Sequence, residues 1–127
     1  MLAFATNAAS SVPVVAQMPP PEPMILEKHE IPVHNNTDKW VWMEAERHNL
    51  IFSNVVVRYW CLAPGEKKTE VITLNVKDNI RWLRFMVTAK TKCDRPVLWE
   101  HTLERESWMK YTVSEKGASY AVTAQRK

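Results

Sequence analysis

The stretch from Asn35 to Asn75, N-N-T-D-K-W-V-W-M-E-A-E-R-H-N-L-I-F-S-N-V-V-V-R-Y-W-C-L-A-P-G-E-K-K-T-E-V-I-T-L-N, decides the fold. Its first third alternates: Val41, Met43 and Ala45 fall on one side of an extended chain, and Trp40, Trp42, Glu44 and Glu46 on the other. Successive side chains of a strand point to opposite faces of its sheet, so this period of two predicts a strand with one face buried. Asn35-Asn36-Thr37-Asp38 ahead of it is turn chemistry, because short polar side chains cap their own backbone. Val55 to Tyr59 predicts a second strand and Thr69 to Val76 a third. Between them Ala63-Pro64-Gly65-Glu66 predicts a turn, proline setting φ and glycine tolerating the left-handed region.

Downstream, Lys77-Asp78-Asn79 reads as a turn and Ile80 to Lys90 as the longest strand signal. There Leu83, Phe85, Val87 and Ala89 share one face, while Trp82, Arg84, Met86, Thr88 and Lys90 share the other. Val97 to His101, Tyr111 to Val113 and Tyr120 to Thr123 predict the later strands, with a helical turn expected over Leu103 to Lys110. Upstream, Met24 to His34 brings in one or two strands, with Met24, Ile25, Ile31 and Val33 as core candidates. Pro32 cannot donate to a ladder, so it belongs at an edge or a bulge. The expected core joins Val41, Met43, Ala45, Val55, Val57, Ile72, Leu74, Leu83, Phe85 and Val87. Short strands with turns between them predict an all-β, immunoglobulin-like sandwich over residues 24–127.

Met1 to Pro23 is a different material, without Lys or Arg and with Pro13, Pro19, Pro20, Pro21 and Pro23. It reads as a flexible arm ending in a stiff polyproline piece, not as a signal peptide, which needs a basic start and an unbroken apolar core. The 127 residues suffice for one domain with its own core. No apolar run reaches the roughly 18–20 residues that a membrane span needs. Residues 1–63 hold four basic and six acidic side chains, and residues 64–127 hold thirteen and eight. Glu100, Glu104, Glu106 and Glu115 interleave with the bases of the second half, so a solvated mixed surface is expected and nucleic acid is not. That asymmetry between the halves is also compatible with head-to-tail self-association.

The residues give no enzyme. His29, His34, His48 and His101 are scattered, and neither Cys61 nor Cys93 stands beside them at a metal-ligand spacing, so no metal or cofactor is expected. Gly65 and Gly117 are the only glycines and both sit in turn signals, which leaves no phosphate-cradling loop. Two cysteines in a domain of this size read as cytosolic free thiols, although they could pair. Asn35-Asn36-Thr37 is formally a glycosylation sequon, relevant only to a secreted chain. Trp40 and Trp42 are the unusual pair. Two indoles on the outward face of one strand, with Glu44 and Glu46 solvated beside them and Trp82 and Met86 on a strand of their own, have the composition of a partner-binding face.

The order of these features resembles the major sperm protein domain. The resemblance rests on Asn35-Asn36-Thr37-Asp38-Lys39, Leu62-Ala63-Pro64-Gly65-Glu66, Val71-Ile72-Thr73-Leu74 and Arg84-Phe85-Met86-Val87, and it covers about half the chain. It implies a sandwich of about seven strands. In the receptor branch of that family, two outward lysines help bind an acidic-flanked peptide, and aligned from Asn35 those lysines fall on Glu44 and Glu46. The reversed sign disfavours that peptide-adaptor function. What the resemblance then implies is a cytoplasmic, cytoskeletal accessory protein that binds major sperm protein filaments in amoeboid sperm motility, through Trp40, Trp42, Glu44 and Glu46. A third reading is a secreted β-sandwich with a Cys61–Cys93 bridge.

Overall fold

A computed structural model describes residues 20, 23–48, 54–76 and 79–127. The arm expected over residues 1–23 lies outside them except at 20 and 23, as do residues 77 and 78 of one expected turn. Eight strands follow one another: β1 (Leu26–Asn36), β2 (Trp40–His48), β3 (Asn54–Leu62), β4 (Lys67–Asn75), β5 (Trp82–Lys90), β6 (Asp94–Glu104), β7 (Met109–Lys116) and β8 (Ser119–Arg126). They form two four-stranded sheets, ordered β4-β1-β7-β8 and β3-β2-β5-β6. The molecule is the all-β sandwich that the alternation predicts, with eight strands among the described residues where about seven were expected.

The two inner faces meet as the period of two requires. Ile31 and Val33 of β1, Ile72 of β4, and Tyr111 and Val113 of β7 pack against Val41, Met43 and Ala45 of β2, Leu62 of β3, and Leu83, Phe85 and Val87 of β5. The Phe85 and Tyr111 rings lie 6.0 Å apart across the layers. The buried Tyr111 hydroxyl accepts a hydrogen bond from the Glu106 backbone N–H at 2.9 Å, which satisfies the one polar atom that this aromatic brings inside. Val57 and Leu74 sit at the margin of the core, and Val55 is half-buried outside it. A register shift between Ala45 and Glu46 disturbs β3 at that point, which a strict alternation could not show.

Other expectations are corrected. Met24 and Ile25 are exposed, since the chain dips under the opposite sheet only from His29 onward. Leu103 to Lys110 makes no helical turn: β6 runs on to Glu104, with Leu103 still half-buried inside, and β7 begins at Met109. Pro32 lies in β1 opposite Thr69 of β4, and β7 joins β1 only from Val33. At Pro32 the strand therefore has one neighbour, which is where a residue without an N–H is tolerated.

Asn35 ties the two turns nearest the domain's start together. Its Nδ2 donates to the carbonyls of Lys39 (2.7 Å), Leu62 (3.2 Å) and Ala63 (3.0 Å). Its Oδ1 accepts from the Thr37 backbone N–H and hydroxyl. Its backbone exchanges hydrogen bonds with Glu66 and Gly65, and Gly65 takes the positive φ of 78° that the turn demands. The side chain is 0% exposed, so the Asn35 sequon offers no amide to a glycan in the folded protein.

Candidate functional site

The outer face of the second sheet is built on β2. Val41, Met43 and Ala45 point inward, which turns Trp40, Trp42, Glu44 and Glu46 to the other side. β5 runs antiparallel beside it and places Thr88 opposite Trp40, Met86 opposite Trp42, Arg84 opposite Glu44 and Trp82 opposite Glu46. On the other flank β3 places Cys61 opposite Trp42 and Tyr59 opposite Glu44. The four residues singled out by sequence thus share one face with Trp82 and Met86.

The two carboxylates are not solvated, however. Glu44 is 9% and Glu46 5% exposed. Cross-strand neighbours stand only about 5 Å away, and Tyr59 and Arg84 flank Glu44 while Trp82 flanks Glu46. Met86 and Thr88 are covered as well. Burial raises the Glu44 pKa above its ordinary value, Glu46 adds to the rise, and Arg84 opposes it only in part. The geometry explains why. Arg84 Nη1 stays 3.7 Å from Glu44 Oε1, too far for a hydrogen bond. Its guanidinium is turned to Glu100 instead, with Nε and Nη2 both donating to Oε2. Glu44 Oε1 and the indole N–H groups of Trp42 and Trp82 are buried without a hydrogen-bond partner among the described residues.

Cys61 and Cys93 are joined in a disulfide, which corrects the expectation of free thiols. Their Cα atoms lie 5.8 Å apart because a short 3-10 turn, Thr91–Cys93, folds from the end of β5 back across β2 and β3. Lys92 and Cys93 both take positive φ, 56° and 60°, an unusual conformation for two consecutive residues with side chains. Beside this strap lies a cleft of about 280 Å³ lined by Trp42, Tyr59, Cys61, Lys92, Cys93 and Asp94. The Trp42 and Tyr59 ring centroids are 5.5 Å apart with planes inclined at 50°. Nothing in the sequence marked Tyr59, Lys92 or Asp94, because only the strand register and the strap bring them to Trp42.

A larger cleft, about 580 Å³, lies along the start of β1. There Arg105 Nη1 donates to His29 Nδ1 at 3.1 Å, and burial followed by the Arg105 charge lowers the His29 pKa. Lys28, Arg105 and Lys127 are matched in it by Glu27, Glu30 and Glu106, so it favours no sign of ligand. Among the described residues no group of three or more His, Cys, Asp or Glu could hold a metal ion, and no helix is long and apolar enough to cross a membrane.

The fold sorts the charges that the sequence interleaves. By alternation and register, the outer face of the first sheet carries Lys28, Lys67, Lys110 and Lys116 with Glu30 as its one carboxylate. The outer face of the second carries Glu44, Glu46, Glu100 and Glu104 with Arg84.

Fold and site together define a β-sandwich with an aromatic, acidic sheet face beside a disulfide strap. No family model matches the chain, and no curated protein matches it. Among solved structures it is similar to the T6SS lipoprotein TssJ1 from Pseudomonas aeruginosa, at 14% identity over 83% of this chain and 99% of that one, with a TM-score of 0.45. It is also similar to the human-specific toxin intermedilysin, at 9% identity over 80% of this chain and 24% of that one, with a TM-score of 0.32.

Proposed function

We propose that the protein is a non-enzymatic interaction domain that docks a protein partner on the outer face of β2 and β5. The observation that carries this reading is the gathering of the half-buried Trp42 and Trp82 and the exposed Tyr59 on one outer sheet face. Tryptophan and tyrosine in this setting supply large contact area, the composition of binding hot spots. Glu100 and Glu104 at the flank favour a partner with a basic surface. Capture of the partner by immobilised protein tests it: Trp42→Ala and Trp82→Ala each weaken binding by roughly 2 kcal/mol or more while the domain still folds. Unchanged capture by both variants would end this reading.

The Cys61–Cys93 bridge favours an oxidising compartment, and with it the secreted form of the domain. The cytoplasmic reading, an accessory protein of major sperm protein filaments, is supported by the meeting at Asn35 of two of the turns that carry the resemblance. A thiol count on native protein from its source separates the two, since a reduced pair belongs to the cytoplasmic form.

A further inference from the structure

We infer that the cleft beside the disulfide strap is a binding site for a trimethylammonium group bearing a phosphate, that is, for phosphocholine. This goes beyond the docking of a protein on the same sheet. It shares Trp42 with that face but is measured with the small ligand alone, so either reading can fail without the other.

Two aromatic walls supply the first half of the site. Trp42 and Tyr59 stand at 50° to one another and both line the cleft, so each offers ring surface to one guest. Aromatic faces attract cations through the ring quadrupole, tryptophan most strongly. A methylated ammonium suits them better than a bare one because it sheds its water at less cost and presents apolar methyl groups to the rings.

A carboxylate stands on the same wall as the strap. Asp94 Oδ1 accepts from the Arg95 backbone N–H at 2.9 Å, and this exposed residue lines the cleft.

Lys92 decides the ligand. It is exposed and lines the cleft together with the aromatics, where its charge would repel a simple cation, yet it pairs with the phosphate of a zwitterion. The Lys92 backbone is left-handed, and the bridge at Cys93 ties the adjoining residue to β3. Non-glycine residues in this conformation cluster where a ligand is clamped. The cleft, about 280 Å³, has room for such a headgroup and little more.

Calorimetric titration of the oxidised full chain with phosphocholine tests the assignment. Saturable binding is expected, with choline weaker and inorganic phosphate weaker still. Tyr59→Ala, at an exposed position where folding is spared, is expected to lower the affinity roughly tenfold, while Tyr59→Phe keeps it because the ring and not the hydroxyl is used. Lys92→Ala should bring phosphocholine down to the level of choline. Co-sedimentation with phosphatidylcholine vesicles, and not with phosphatidylglycerol vesicles, identifies a lipid as the source; binding of free phosphocholine without vesicle binding identifies a soluble one. Absence of saturable binding, unchanged affinity in Tyr59→Ala, or phosphate binding as tightly as phosphocholine would each overturn the inference.

Discussion

Asn35 shows how much one side chain can organise. Its amide holds three carbonyls from the start of β2 and the end of β3, and of these the Lys39 carbonyl also has the Thr37 hydroxyl at 3.2 Å. Each buried carbonyl left without a donor costs about 1–3 kcal/mol. Asn35→Ala is therefore expected to lose roughly 2–5 kcal/mol in a denaturant titration. Asn35→Asp should do no better, since a carboxylate has no N–H to give. The sequence marked residues 35–38 as a turn, but a reach of nearly thirty positions is invisible to local reading. Glu44 is the other residue whose setting changes its chemistry. A carboxyl whose folded pKa is raised binds its proton more tightly in the native state, so stability falls as pH rises from the ordinary value near 4.5 through the raised one. Glu70, also raised by burial, acts with the same sign. Glu44→Gln should therefore hold or raise the thermal midpoint at neutral pH and flatten its fall between mild acid and neutrality relative to the parent protein. A steeper fall in the variant would show that Arg84 and not burial governs the site. For the same reason Glu44→Lys is expected to unfold the sheet face, where a solvated glutamate would have tolerated the change.

At the scale of elements, β2 and β5 were legible because their alternation holds as far as Val87; past the register shift there Ala89, expected on the inner face, is exposed. Leu83, Phe85 and Val87 are inside as their spacing predicts. Phe85→Ala, which opens a cavity against Tyr111, is expected to cost roughly 3–5 kcal/mol. β6 was legible only in part: Pro96 and a mixed composition hid a strand that continues to Glu104, and the segment after it lacks the caps a helix needs. The strap was legible only as an open alternative to free thiols, because whether Cys93 meets Cys61 depends on how the turn after β5 folds over the sheet. The bridge closes a loop with a sequence separation of 32. Its removal by Cys61→Ser with Cys93→Ser should destabilise the domain by about 3–4 kcal/mol in the chain-entropy view. The thermal midpoint of that double variant, compared with the oxidised parent, measures this, and an unchanged midpoint would mean that the strap contributes nothing to the fold.

At the scale of the whole molecule, the sandwich itself was readable from hydrophobic alternation, whereas the sorting of charge between its two outer faces was not. Face membership depends on the register of strands far apart in sequence, so charges that looked mixed along the chain separate into a lysine-rich and a glutamate-rich side. The two sides should respond differently to charge reversal. Glu100→Lys with Glu104→Lys is expected to slow association with a basic partner and to weaken its dependence on salt, as a lost steering field does. Lys67→Glu with Lys110→Glu should leave partner affinity unchanged. Stopped-flow association at two ionic strengths reads both outcomes. Equal effects from the two pairs would mean that net charge, and not the face, sets the rate.

The parallel pairing of β1 with β7 bears on the order in which the molecule can be made. Val33 meets Tyr111, and all four strands of the second sheet lie between them along the chain. A growing polypeptide can therefore assemble β2, β3, β5 and β6, and can pair β1 with β4, while the slot meant for β7 stands empty. Val33 and Asn35 wait there without Tyr111 and Val113 beside them until β7 leaves the ribosome. Long-range pairings of this kind close slowly. During that interval an unpaired edge is open to a neighbouring nascent chain, which makes the side of β1 that receives β7 the place a chaperone would need to guard.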